Sequence, residues 1–507
     1  MPPATSVPAI ATPDRSITRD ALTQRARQAA TGFASFGLKR GDVVALLMRN
    51  DIPFFEATLG ANMCGAYSVP VNWHLAGPEI SYVLNDSGAS CLVVHADLLD
   101  GLAPHLPDGI RVLVVETPPA IRAAFDLADA KCAVPDGATD WETWVESHAP
   151  RTEAPEPPRG AIIYTSGTTG HPKGVMRDAP TPEIARAQLL MSQEVYGIFP
   201  DTRTAIVTPV YHAAPSAFSR FSAENAEFML LLPRFDAEEL LATIEKYRIN
   251  TLCLVPAIFV KLLKLPKEVR DKYDVSSLRR VSHTASPCPP EVKRALIEWW
   301  GPVVYEFYGG TESGVAVVCS SEDWLENPGT VGRPTTGTTL RILDDDGNDL
   351  PRNEIGEIFI RNVAYPPVTY LGNPEAFDAS CNDGFVSLGD VGYVDDNGYL
   401  YVCDRKKDMV IFGGTNVYPA EIEAVMLEMT QIEDCAVIGV DDPDFGERLQ
   451  AHVLLRPGAA LDADEIVTFL TPRLARYKIP RDIRFVDALP REASGKIMKR
   501  KLKQARQ

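Results

Sequence analysis

The chain has no apolar run approaching the length needed to cross a membrane, so no spanning helix is expected. Its nine cysteines are scattered from Cys64 to Cys435 without a CxxC pair or zinc-like spacing. That pattern excludes a disulfide scaffold and a cysteine metal cluster, and it fits small core residues in a reducing compartment. Positive charge is in short supply: 50 Lys and Arg face 68 Asp and Glu, a formal net charge of −18. A nucleic-acid binder would show the opposite balance. The start, Met-Pro-Pro-Ala-Thr-Ser, lacks a basic segment followed by an apolar one, so a cytoplasmic protein without a secretory signal is expected. Internal repeats and low-complexity tracts are absent as well. What is present is 507 residues, too many for one ordinary domain, with the 45% hydrophobic and 23% charged content of a globular chain.

Residues 18–130 alternate helical and strand-like segments. Helical spacing covers 21–36 and 54–64, and strand candidates lie at 43–48 and 91–94. Alternation of this kind predicts helices packed on a mostly parallel sheet. A Pro-, Glu- and Arg-rich linker at 149–160 follows, and then the pattern resumes. Strands are expected at 205–209, 251–256, 278–284 and 303–307, with helices at 237–247 and 291–300. Short strands and turns over 337–361 suggest a small β-subdomain, and 384–408, dense in turns and charge, reads as a domain junction. Beyond it a compact α+β unit is predicted, with strands at 409–412, 435–440 and 452–455 and helices at 419–428 and 463–474. The tail from 496 is basic, and Lys499, Arg500, Lys501 and Lys503 read as solvated charges.

One string stands out: Tyr164-Thr-Ser-Gly-Thr-Thr-Gly-His-Pro-Lys-Gly174, behind an apolar strand candidate at 161–164. Thr165, Ser166, Thr168 and Thr169 offer hydroxyls. Gly167, Gly170 and Gly174 let backbone N–H groups approach an anion, and Lys173 adds a cation. A polar surface turn is the plain alternative. The string is not a Walker A loop, because Pro172 precedes the lysine and Gly174 follows it.

It resembles the phosphate-loop signature of the adenylate-forming superfamily, which includes acyl-CoA synthetases, peptide-synthetase adenylation domains and beetle luciferases. Three further strings are similar to that family's motifs, in order: Tyr308-Gly-Gly-Thr-Glu312, Ser387-Leu-Gly-Asp390 with Asp404-Arg-Lys-Lys-Asp408, and Pro490-Arg-Glu-Ala-Ser-Gly-Lys496. The resemblance spans 161–496, and the chain is identified as a member of the acyl-/aryl-CoA synthetase branch. It implies an α/β fold: a large N-terminal domain of helix-packed sheets plus a small β-subdomain (1–406), and a small mobile α+β C-terminal domain (407–507), with the hinge at Lys407.

The implied reaction joins a carboxylate to the α-phosphorus of ATP, then passes the acyl group to CoA. Two anions must be held in line while their charge is neutralised. The resemblance gives Glu312 to magnesium as a hard oxygen ligand, beside Thr311, with Tyr308, Gly309 and Gly310 near adenine. Asp390 and Arg405 would hold the ribose, a carboxylate being able to accept from both hydroxyls of a diol. Ala285, Ser286 and Pro287 fall where the family runs backbone past adenine, and an ordinary loop reads equally well there. Lys496 is the expected catalytic cation. Gly413 and Gly414 read either as the wall of a pantetheine tunnel or as a tight turn. Phe445, Tyr477 and Lys478 align near the CoA nucleotide.

His212 aligns with a gate between the acyl site and that tunnel, a purely structural histidine being the other reading. Tyr211, Ala213, Ser216, Phe218 and Gly314 would line the acyl pocket with His212. The pocket segment shows small and aromatic residues and no basic side chain to pair a second substrate charge. A bulky aryl, phenylpropenoate-like or medium-chain acid is therefore expected, rather than acetate or an amino acid. Partners are then ATP, CoA and a small carboxylic acid, with a homodimer left open. Transfer to a carrier protein, a luciferase-type oxygenase and a non-catalytic nucleotide binder are the rival readings.

Overall fold

The computed structural model describes residues 9–165, 172–412, 415–442, 446–491 and 497–504. Its largest sheet has nine strands. Six run parallel, in the order Val304–Gly310, Arg280–His283, Thr251–Leu254, Arg203–Ile206, Phe228–Leu231 and Ile10–Ala11. The antiparallel strand Gly314–Cys319 then extends the edge beside Val304–Gly310. A second, five-stranded parallel sheet is centred on Val43–Leu47 and Ala89–His95. Both central strands of that sheet are apolar runs, as burial on two faces demands.

Helices fill the space between these sheets. Arg19–Ser35 and Ile52–Met63 press together so closely that a Cβ on Gly60 would lie 2.9 Å from that of Ala29. Phe33, Trp141, Trp144, Phe218 and Phe221 close this layer into one apolar cluster. Asn50, at the end of Val43–Leu47, joins the sheets. Its amide donates to the carbonyls of Thr208 and Leu232 (both 3.1 Å) and accepts from Val210 N (3.1 Å). The loop leading into Tyr211 and His212 is thereby fixed to the opposite sheet.

Helix 237–247 occurs with the bounds expected, capped by the Asp236 side chain on Glu239 N. Two long helices without a sequence signal also appear, Pro182–Tyr196 and Ala213–Asn225. The second starts Ala-Ala-Pro and carries three serines, a poor helix former. Its Phe218 and Phe221 are buried against the core, and tertiary packing overrides propensity.

The turn-rich character expected over 384–408 is corrected by the structure. Phe385–Val394 and Leu400–Arg405 are strands of the antiparallel β-subdomain, paired with each other and, through Phe385–Val394, with Gly356–Asn362. Cross-strand partners supply what the Gly- and Asp-rich sequence lacks on its own. The C-terminal unit pairs Ile432–Asp442 with Gly446–Leu455 and packs Pro419–Met426 and Ala463–Leu470 around one apolar cluster. A further correction concerns Lys499. It is not solvated but lies 2.8 Å from Glu423, with only 14% of its side chain exposed, anchoring the C-terminal helix Lys499–Gln504.

Candidate active site

The strands Val304–Gly310 and Gly314–Cys319 form a hairpin whose turn is Thr311, Glu312 and Ser313. Ser313 Oγ accepts from Gly310 N at 3.0 Å and closes the turn. Two glycines are required for steric reasons. A Cβ on Gly309 would sit 2.1 Å from the carbonyl oxygen of Gly314. Gly314 itself has φ +69° and lies flat against Tyr365, 2.2 Å from where its Cβ would be.

A small three-stranded sheet meets this turn. Ile163–Thr165 and Lys173–Arg177 form a hairpin in which Thr165 pairs Lys173, and Val368–Tyr370 adds a third strand. Tyr370 donates its hydroxyl to Glu312 Oε1 (3.0 Å), and Lys173 Nζ stands 4.8 Å from the centre of the Tyr370 ring. Arg177 reaches the turn from below, donating to the carbonyls of Thr311 (2.8 Å) and Glu312 (2.7 Å). Burial pushes the Arg177 ionisation down, with Tyr365 and Glu312 opposing the shift. Of the phosphate-loop residues, Ser166, Gly167, Thr168, Thr169 and Gly170 lie outside the described residues.

On the other side of the turn, Tyr308 donates to Asp390 Oδ2 (2.7 Å). Arg405 faces Asp390 across paired strands, with Nε 2.6 Å from Oδ1, and also donates to the carbonyl of Leu388 (3.0 Å). Burial and then the Asp390 charge drive the Tyr308 ionisation far above its ordinary value, so its hydroxyl stays a donor. Ala285 follows the strand Arg280–His283 with φ +82°, a left-handed conformation that a non-glycine residue adopts at a cost, and both it and Pro287 are exposed. Ser286 is half-buried between them.

His212 stands at the N-terminus of the helix Ala213–Asn225 without a side-chain capping bond. Its Nε2 is buried without a hydrogen-bond partner, and burial, aided by His74, pushes its pKa down to about 4. The imidazole is neutral at neutral pH. The Tyr211 ring lies 4.4 Å away, and Trp73 stands edge-on to Tyr211 at 6.4 Å. Phe218 is a core residue packed on Tyr196 at 5.5 Å rather than an open pocket wall. Ala213 is half-buried in the first turn of the helix.

A separate cavity runs between this helix and Ile52–Met63, lined by Ser216, Ser219 and Arg220 on one side and Phe54, Phe55 and Leu59 on the other. Tyr211, His212, Phe218 and Gly314 are not on its wall. Two basic side chains, Arg159 and Arg220, do line this separate cavity. Arg220, one turn after Ser216, lines the cavity, and its charge acts on the hydroxyls of Tyr365 and Tyr196. Residues four apart share one helix face, so Arg220 joins Ser216 on the cavity wall, which a reading that stops at 218 does not show.

Around 407 the chain is tethered on both sides. Lys406 Nζ binds Asp345 (2.9 Å) and Glu357 (2.8 Å) of the β-subdomain, while Asp404 Oδ2 accepts from Ala420 N (2.8 Å), capping Pro419–Met426. Lys407 is exposed between them. Tyr477 is exposed, and Lys478 is committed to Glu421 at 2.6 Å. Gly413, Gly414, Phe445 and Lys496 lie outside the described residues.

Residues 3–365 match the AMP-binding enzyme family, and residues 421–496 match the AMP-binding enzyme C-terminal domain. The chain belongs to the AMP-binding enzymes. Within this adenylate-forming superfamily it falls in the acyl-/aryl-CoA synthetase branch. The long-chain-fatty-acid–CoA ligase FadD13 of Mycobacterium tuberculosis is 33% identical over 505 residues, covering 97% of this chain and 93% of the relative. A feruloyl-CoA synthase of Amycolatopsis is 33% identical over 493 residues, covering 96% and 93%. The solved structure of ATP-bound MatB from Rhodopseudomonas palustris superposes with a TM-score of 0.84 at 27% identity, over 99% of this chain and 96% of that one. The AMP-binding enzyme is thus an acid–thiol ligase of the AMP-forming class, whose reaction takes ATP, magnesium and CoA.

Among the described residues no group of three or more His, Cys, Asp and Glu side chains could hold a metal, and no helix is long and apolar enough to cross a membrane. Magnesium needs no such cage, since one or two carboxylates and substrate phosphates commonly complete its shell. Glu312 fits that need: a hard oxygen donor in an open turn, with one carboxylate oxygen steadied by Tyr370.

Proposed function

We propose that the enzyme is an ATP-dependent carboxylate–CoA ligase for a bulky, largely apolar acid. It adenylates an aryl, phenylpropenoate-like or medium-chain carboxylate, releases pyrophosphate, and transfers the acyl group to CoA. The observation that carries this reading is the convergence of Tyr308, Asp390 and Arg405 on one flank of the Thr311–Glu312 turn, with Lys173 and Tyr370 on the other. One flank suits a ribose diol, and the other suits phosphates with their metal.

In this reading Asp390 accepts from the ribose hydroxyls, and Arg405, which orients it, donates to the same sugar. Tyr308 gives adenine an aromatic face, with Gly309, Gly310 and the strained Ala285 segment beside it. Glu312 with Thr311 would hold magnesium, which when bound would neutralise charge at the phosphates. Lys173 and the hydroxyl-rich loop from Thr165 onward bind the departing pyrophosphate. Lys496 bridges carboxylate and α-phosphate as charge builds between them. The tether pattern about Lys407 supports a hinge there, and with it a domain boundary after 406. Swinging the C-terminal domain would bring Gly413, Gly414, Phe445, Tyr477 and Lys478 to CoA, with His212 gating acyl passage as a neutral group.

The bulky acid is favoured by Tyr211, Gly314 and the small residues that open the helix after His212. Relatives that act on a long-chain fatty acid and make feruloyl-CoA agree with it. Mass spectrometry of single-turnover reactions tests the proposal. An acyl-adenylate with a bulky acid, converted to acyl-CoA when CoA is added, supports it. An adenylate that transfers only to a holo-carrier protein refutes the acceptor, and acetate outrunning every bulky acid refutes the substrate.

A further inference from the structure

Arg177 ends the short strand Lys173–Arg177, and no ion pair at Arg177 occurs among the described residues. Its guanidinium forks to backbone oxygens: Nη2 to Thr311 O at 2.8 Å and Glu312 O at 2.7 Å, and Nη1 to Pro366 O at 3.2 Å. The Tyr365 ring covers its face at 4.8 Å.

Burying a cation is costly, and an apolar residue would fill the space more cheaply. The expense is recovered only if the carbonyls need holding. Two of those carbonyls belong to Thr311 and Glu312, the residues that the proposed function assigns to the metal. Arg177 also shares its strand with Lys173, and Tyr370 comes from the adjoining strand, Tyr370 pairing Val175. One small sheet therefore grips Glu312 twice, at the carboxylate through Tyr370 and at the main chain through Arg177.

We infer that Arg177 is a positioning residue that fixes the Thr311–Glu312 turn in the geometry required to receive magnesium-bound ATP. The inference rests on the reading of Glu312 as the magnesium ligand. Two charge-assisted hydrogen bonds hold the turn and a third ties it to Pro366 O, so Arg177 acts through the backbone.

Calorimetric titration of ATP with and without magnesium tests it on wild type, Arg177→Met, Arg177→Lys and Glu312→Gln. Wild type gains affinity with magnesium. Glu312→Gln loses that gain, and Arg177→Met loses about tenfold of it, the loss expected for one charge-assisted bond or more. Magnesium-free binding stays as in wild type. Arg177→Lys, which keeps the charge but not the fork, recovers part of the gain, and it carries the test should Arg177→Met not fold. A full magnesium gain in either Arg177 variant, with the gain lost in Glu312→Gln, overturns the inference alone. A full gain in Glu312→Gln overturns the reading of Glu312 and the inference with it.

Discussion

Asp390 and Arg405 face one another across antiparallel strands, Nε to Oδ1 at 2.6 Å, with the Asp390 side chain 7% exposed. The register that pairs them fixes the distance, so the carboxylate is aimed before any nucleotide arrives. Tyr308 completes the arrangement from a different sheet, linking the hairpin to the β-subdomain. A preorganised acceptor of this kind lowers the cost of orienting a ribose. Asp390→Asn is therefore expected to raise the KM for ATP about tenfold, the equivalent of one charged hydrogen bond. The KM for CoA should be unchanged. Pyrophosphate-release kinetics at varied ATP and CoA checks both.

Gly314→Ala is expected to narrow the acyl site. The new Cβ meets Tyr365 at 2.2 Å in a conformation, φ +69°, that costs an alanine roughly 1 kcal/mol. Relief comes from displacing the Tyr365 ring. The kcat/KM for a branched or bicyclic acid should fall by about tenfold more than that for a short linear one. Equal losses across acids of different width would contradict this placement of Gly314.

Stability should depend on two buried histidines. Burial pushes His212 and His283 down to about 4 from the ordinary 6.5, and neither ring nitrogen of His283 has a hydrogen-bond partner. The unfolded chain takes up protons near pH 6.5, the folded chain only near 4. Stability is thus full above pH 6.5 and falls as the pH drops toward 4, on the order of 3 kcal/mol per histidine. Urea unfolding between pH 4 and 7.5 measures it. His212→Gln should flatten its share of the slope.

Lys293 is fully buried, with Nζ 2.7 Å from Glu306 Oε2, just behind the strand that carries Tyr308. Removing one partner strands a charge in the interior. Lys293→Met is expected to destabilise by about 3–5 kcal/mol, and Lys293→Met with Glu306→Leu to regain much of it. A double variant no more stable than the single one would show that the pair does more than neutralise charge.

The sequence made the catalytic flanks legible in part. Tyr308, Glu312, Asp390 and Arg405 sit in strings whose order identifies the family, and the structure brings all four to one turn. Tyr370 and Arg177 were not legible, because their contacts reach across 58 and 134 or 135 residues to Glu312 and its neighbour. Arg177 left one trace, a charge closing the apolar pair Val175 and Met176. Helix 237–247 could be read from its period and cap. Ala213–Asn225 could not, since its serines and proline argue against a helix that packing nevertheless imposes. Strand 385–394 was hidden likewise, its Gly389 and Asp390 reading as turn until a partner strand is present.

Acid-dependent pyrophosphate release tests the central claim most directly. It should be measured over a panel of carboxylic acids, with and without CoA, for wild type and Lys496→Ala. The account predicts release that requires a bulky acid, turns over faster with CoA, and collapses in the variant. Folded protein that binds ATP yet releases no pyrophosphate with any bulky acid, or release untouched by Lys496→Ala, would contradict it.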